Sequence, residues 1–251
     1  IDYIKASNLE QREEIFPGAN YFSTGTVKQR LQALSDLNTN AFLSLKGGYG
    51  AQQCLAELDP SVFHNSSVFA YSDLTALFLK LQKDTTVKLF HSPMLVELSS
   101  LKKDELESFL TFLRGSKNIK ASLLQQTLGL RSKLEESFSF LLSDPSYIWG
   151  GNLTLLLSMN IKPVIKKGYK KILFIEDCYE EAYKVERMLY TAANLGLFDD
   201  IDELWLGESQ EALFNTSLIE KFKKEYGFNL VKNLPFGHSK KFTLPILQYY
   251  D

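Results

Sequence analysis

The chain has 251 residues, 45% hydrophobic and 23% charged, with a formal net charge of −2. That is enough apolar material for one large domain or two modest ones, and the near-neutral balance gives no global basic field for nucleic acid or a membrane surface. Two cysteines, Cys54 and Cys178, do not make a disulfide framework, and no apolar run reaches the roughly 18 residues of a membrane span.

Ile1 to Lys5 reads as a strand. No signal-peptide pattern opens the sequence, and Ile1 in place of Met leaves room for a preceding segment. Thr26 to Leu37 reads as a helix, with Val27, Leu31 and Leu34 on one face. Ala41 to Leu45 is a short apolar strand broken by Lys46-Gly47-Gly48-Tyr49-Gly50, and Ala51 to Leu58 is a helix. Ser67 to Tyr71 predicts a buried strand. From Leu74 onward, Leu77, Phe78 and Leu81 give a helical apolar face, and Val87 to His91 is another strand. This alternation argues for a parallel sheet covered by helices. Ligands bind such sheets beyond the carboxyl ends of the strands. The glycine turn and Ser72 both fall at such ends.

From Lys102 to about Leu142 the pattern is polar and helical, as in a connection between domains or a helical layer. A second unit starts near Tyr147 with Trp149-Gly150-Gly151-Asn152. It contains a clear strand, Ile172 to Ile175, and a long helix from Tyr179 to about Leu195, closed by Gly196. Sequons at Asn65, Asn152 and Asn215 carry no meaning in a cytosolic protein.

Several residues admit two readings. Ser72-Asp73 between strand and helix is either a cap for the first turn or a sharp turn that exposes a nucleophilic hydroxyl, although Ala70-Tyr71-Ser72-Asp73-Leu74 lacks the usual Gly-x-Ser-x-Gly pattern. The glycine turn is either a plain turn or a second backbone donor to an oxyanion; it is neither a dinucleotide fingerprint nor a Walker loop. Asp177 and Glu180 fit a capping box for the following helix. Glu176, ending an apolar strand, needs a partner, either an Arg or Lys or a histidine whose tautomer it fixes. Of the three histidines, His64 lies in a polar turn, His91 ends a strand and could line a cleft, and His238 sits in a loop rich in special-φ residues. Metal-ligand spacing is absent, so no metal or other cofactor is expected.

Taken in order, Lys46-Gly47-Gly48-Tyr49-Gly50, Tyr71-Ser72-Asp73-Leu74-Thr75-Ala76-Leu77 and His91-Ser92-Pro93-Met94 resemble the amino-terminal domain of the LD-carboxypeptidases. That family comprises muramoyltetrapeptide carboxypeptidases and their microcin C self-immunity relatives. Gly150 to Leu156, Ile172 to Asp177, Glu186-Arg187-Met188-Leu189 and Pro235-Phe236-Gly237-His238 resemble its carboxy-terminal domain. The resemblance implies an α/β protein in which an amino-terminal, Rossmann-like parallel-sheet domain and a smaller carboxy-terminal α/β domain face each other across a cleft. The corresponding boundaries are 1–101, a helical linker over 102–146, and 147–251.

The resemblance also implies serine peptidase chemistry. Ser72 matches the nucleophile, His238 the base and Glu176 the residue that orients it. Asp73 is then free to cap the helix. The backbone amides of Asp73 and Gly48 match the oxyanion hole, and Lys46, Gly47, His91 and Asn152 are candidate substrate contacts. Lys46 and Ala70 depart from the family's usual Arg and Gly. The implied activity is release of terminal D-alanine from murein tetrapeptides in the cytoplasm, during peptidoglycan recycling. The alternatives are an immunity peptidase acting on a peptidyl-nucleotide and a non-catalytic peptide binder. The expected partner is a murein peptide, not nucleic acid or membrane, and the candidate assembly is a homodimer.

Overall fold

A computed structural model describes residues 26–35, 39–115, 145–208 and 214–250. The strand expected at Ile1 to Lys5 and most of the proposed linker lie outside the described residues. The first sheet has the order β1 (Ala41–Leu43), β2 (Ser67–Ala70), β3 (Lys88–His91) and β8 (Leu244–Ile246). Its first three strands run parallel, and β8 pairs antiparallel with β3. The second sheet has the order β7 (Asn229–Leu234), β6 (Glu203–Gly207), β5 (Lys170–Glu176), β4 (Ser146–Asn152) and β9 (Gln248–Tyr250). It is parallel except for β9, which pairs antiparallel with β4.

Strands covered on both faces read as unbroken apolar runs, and β2 and β5 follow that rule. Phe69 in β2 is fully buried and stacks on Phe90 with ring centroids 4.3 Å apart, while Phe109 meets its edge. Ile172 to Ile175 in β5 are fully buried. The covering helices are α1 (Val27–Ser35), α2 (Ala51–Cys54), α3 (Thr75–Leu81), α4 (Lys103–Gly115), α5 (Leu153–Met159), α6 (Ala182–Asn194) and α7 (Thr216–Tyr226). Among the described residues no helix is long and apolar enough to cross a membrane.

Two local expectations are corrected. The helix after β5 begins at Ala182, with Glu181 at its N-cap, so Asp177 and Glu180 do not form its capping box. Asp177 instead accepts from Asn152 Nδ2 (3.0 Å), Thr154 N (3.1 Å), Thr154 Oγ1 (2.9 Å) and Cys178 N (2.9 Å), tying the end of β5 to the start of α5. Asp73 does not cap its own helix either; its carboxylate accepts from Ala51 N at 2.8 Å, at the start of α2. The segment Ser146–Asn152 is a full strand despite its glycine pair. The final stretch serves both sheets: β8 covers the edge of β3, the chain turns at Leu247, whose amide donates to Ile148 O at 2.6 Å, and β9 covers the edge of β4. Covered edges remove unpaired backbone groups, and a partition by sequence position omits this shared pairing.

Asp177→Ala strands the buried Asn152 amide and removes the contacts to the more exposed Thr154, so it should destabilise the chain by ~2 kcal/mol. Asp177→Asn, which keeps one acceptor oxygen, should cost about half of that. Urea unfolding midpoints of both variants check this.

Candidate active site

Ser72 follows the carboxyl end of β2 and opens a short 3-10 turn, Ser72–Leu74. Its φ is +58°, a conformation that a residue with a Cβ adopts only when its surroundings impose it. Those surroundings are visible. Asp73 is held by Ala51 N, and Arg30 donates to Gly50 O (2.9 Å) and Gln53 Oε1 (2.8 Å), so the glycine turn is pinned beside Ser72. Burial pushes the Asp73 carboxyl above its ordinary value, against the opposing pull of the Ala51 amide and Arg30. A Cβ on Gly47 would lie 3.2 Å from Ser72 Oγ and 3.1 Å from the Met94 methyl, so a side chain there would press on the hydroxyl.

Glu176 ends β5 and is 2% exposed. Its Oε2 lies 2.6 Å from His238 Nδ1, and His238 Nε2 lies 3.3 Å from Ser72 Oγ. The three residues that the resemblance pointed to are therefore brought into one chain of contacts. Gly237, at φ +110°, permits it, since a Cβ there would sit 2.9 Å from Glu176 Oε2. Burial works against the Glu176 charge, but the His238 hydrogen bond and the nearby imidazoles of His238 and His91 hold its carboxyl well below the usual range. Burial likewise opposes a charged His238. Hydrogen bonding with Cys178 and Glu176, reinforced by the Glu176 charge, outweighs that and raises its pKa to about 10.

The remaining named residues are placed differently from one another. Lys46 is exposed. A Cβ on Gly48 would meet nothing within 4 Å, so that turn residue borders open space. Asn152 is buried and its side chain is occupied: Oδ1 accepts from Leu155 N as the N-cap of α5 while Nδ2 donates to Asp177. His91 is 1% exposed, packed between Tyr71 and Phe174 and facing Glu176 rather than an open surface. The Asn152 side chain is thus taken up by Leu155 and Asp177, and the His91 side chain is buried against Glu176. His64 is exposed and paired with Asp84. Among the described residues no group of three or more His, Cys, Asp or Glu is gathered to hold a metal ion.

Motif reading missed the cluster that seats His238. Tyr71 lies with its ring centroid 4.7 Å from that of His238, and its hydroxyl donates to Glu97 Oε1 at 2.6 Å. Lys241 Nζ pairs with Glu97 at 2.8 Å and also reaches the Tyr71 hydroxyl. The Lys241 amide donates to Glu105 and the Thr243 amide to Ser108, both on α4. The available signal was Tyr71 itself, a tyrosine ending a buried strand, whose hydroxyl needs a partner.

Comparison with known proteins finds similarity over most of the chain. The family model described as the LD-carboxypeptidase N-terminal domain matches residues 3–92, and that of the LD-carboxypeptidase C-terminal domain matches residues 146–249. A Rickettsia conorii protein named as a carboxypeptidase is 29% identical over 213 residues, which cover 83% of this chain and 66% of the relative. The chain thus spans just under two thirds of that protein's length. Among solved structures, a muramoyltetrapeptide carboxypeptidase from Oxalobacter formigenes is similar with a TM-score of 0.63 at 23% identity, covering 88% of this chain and 76% of that one. The microcin C7 self-immunity protein in complex with aspartyl sulfamoyl adenosine is similar with a TM-score of 0.67 at 17% identity, covering 91% and 79% respectively.

Gly237→Ala should force the loop away from Glu176. The downfield Nδ1–H proton resonance expected of the short His238–Glu176 hydrogen bond should then be lost from the NMR spectrum. An unaltered resonance would contradict the close approach described here.

Proposed function

The chain belongs to the LD-carboxypeptidase family, and from that premise we propose that it is a serine carboxypeptidase that releases terminal D-alanine from murein tetrapeptides by cutting an L,D amide bond. The observation that carries this reading is the relay of 3.3 Å from Ser72 to His238 and 2.6 Å from His238 to Glu176. A serine hydroxyl is a weak nucleophile until a base takes its proton. In the proposed reaction His238 Nε2 takes that proton as Ser72 Oγ bonds to the scissile carbonyl carbon. The carbonyl oxygen becomes an oxyanion facing the amides of Asp73 and the glycine turn at Gly48. His238 then gives the proton to the leaving nitrogen, the C–N bond breaks, and D-alanine departs from an acyl-enzyme. Water repeats the sequence with His238 as base, restoring Ser72 and freeing the tripeptide. Glu176 keeps the imidazole oriented and balances the charge that it acquires.

The reading assigns the substrate to a cleft between an amino-terminal unit carrying Ser72 and a carboxy-terminal unit carrying Glu176 and His238, with a cytoplasmic role in peptidoglycan recycling. A second reading, cleavage of a peptidyl-nucleotide, draws on the exposed rings of Tyr49 (62%) and Tyr179 (87%). Tyr49 lies within the glycine turn and Tyr179 shortly after Glu176 in the chain, and aromatic faces of this kind can stack on a base.

Mass spectrometry of a murein tetrapeptide, the D-alanyl-D-alanine pentapeptide and a peptidyl-adenylate analogue should show D-alanine released from the tetrapeptide and the pentapeptide largely spared. Ser72→Ala should lower that turnover by about four to six orders of magnitude, ~5–8 kcal/mol in barrier. Preferential cleavage of the pentapeptide rejects the L,D assignment; cleavage of the adenylate analogue alone selects the second reading.

The pH profile gives a separate check. His238 must lose its proton to act as a base, and its pKa is raised from an ordinary 6.5 to about 10. Turnover should therefore climb with pH, and the acid limb of kcat/KM should lie above 6.5 and extend toward 10. A limb at or below 6.5 would contradict the ion-paired histidine.

A further inference from the structure

The far oxygen of the Glu176 carboxylate poses a problem that the relay leaves open. Oε2 is taken by His238, but Oε1 is buried without a hydrogen-bond partner, and so is Nε2 of His91. The two atoms are 3.8 Å apart, and both side chains are 2% exposed. An unpaired buried carboxylate oxygen or ring nitrogen is costly. A water bridging them at its tetrahedral angle would set them about 4.5 Å apart, farther than they are. The imidazole is held in this direction on both sides: its ring centroid lies 5.0 Å from that of Phe174, edge-on, and 5.4 Å from that of Tyr71.

We propose that His91 is a positioning residue for the relay: its Nε2–H donates to Glu176 Oε1, so that one buried carboxylate is shared between two imidazoles and its pull on His238 is divided. The inference rests on reading Glu176 as the partner of His238, and it assigns His91 a task other than substrate contact. It also bears on the chemistry. An isolated carboxylate at 2.6 Å holds the proton on His238 strongly, whereas a base must give that proton up near the working pH. A donor on Oε1 withdraws part of the carboxylate's charge and moves His238 back toward that range.

The ionisable groups around the pair leave few competing explanations. Glu176 is the charged group facing His91. His238 faces Glu176, the Cys178 thiol, the Ser72 hydroxyl and the Tyr71 ring. The Tyr71 hydroxyl is in turn committed to Glu97 and Lys241. Burial, together with Glu97, raises the Tyr71 pKa and keeps the phenol neutral.

The test needs no substrate, so it stands or falls separately from the proposed reaction. With histidine nitrogen-15 labelled in the full chain, the His238 titration is followed in the unaltered protein, in His91→Gln and in His91→Leu. His91→Leu should move the His238 midpoint upward by about one pH unit. His91→Gln, whose amide can still donate, should move it less. The acid limb of kcat/KM should follow by the same shift, which lost packing alone would not produce. An unchanged His238 midpoint in a folded His91→Leu protein overturns the proposal. Should neither variant fold, the unaltered protein decides: a proton on His91 Nε2 supports it, and a bare Nε2 with the proton on Nδ1 overturns it. An unchanged midpoint together with activity lost in Ser72→Ala would reject the role of His91 and leave the peptidase reading intact.

Discussion

A buried carboxylate governs this structure. Glu176 sits at the end of a strand whose preceding residues, Ile172 to Ile175, are wholly enclosed, and a charge there is tolerated only when it is paired. No neighbour in sequence supplies the pairing. It comes from His238, on a loop that leaves the second sheet after β7 and joins the first at β8. The need to neutralise Glu176 and the path of that loop are therefore the same constraint. Gly237 serves it by letting the backbone come within contact distance of the carboxylate.

The crossing loop is seated by a second set of polar contacts on the other side. Lys241 reaches Glu97 and Tyr71, while its backbone and that of Thr243 are held by α4. These contacts come from side chains more than a hundred residues away in the chain, so they form only when both sheets are built. Ser72 is in a similar position. Its φ of +58° is an intrinsically poor conformation that holds because Asp73 is fastened to the glycine turn and that turn is fastened to α1 by Arg30. Strain at one residue and rigidity around it are two aspects of one arrangement.

The likeness to solved structures establishes the arrangement of elements, and at 17–23% identity it leaves the substrate to the side chains of this chain. In this structure those side chains divide by depth. Among the buried polar residues, Asn152 and Asp177 are bonded to each other and His91 faces the Glu176 carboxylate. The rings of Tyr49 and Tyr179, by contrast, are exposed at the surface.

The sequence by itself determined β1, β2, β3 and β5 with the helices that follow them, the apolar cores of β2 and β5 and, through the resemblance, the family and its residues Ser72, Glu176 and His238. These were legible because periodicity, turn chemistry and motif spacing act within a few residues. It did not reveal β4 or β6 to β9 as strands; in β4 the packed neighbour accounts for the glycine pair, as a Cβ on Gly150 would lie 1.8 Å from Phe174 O. Asp73 and Asp177 each looked like a cap for the following helix, and the fold sent each to a different element. Glu97 and Lys241 carried no motif, and His91 looked like a cleft residue until burial placed it against Glu176. The tertiary structure alone decided these partners. A polar side chain announces that it will need a hydrogen bond, but which group satisfies it depends on what long-range strand pairing brings within about 3 Å.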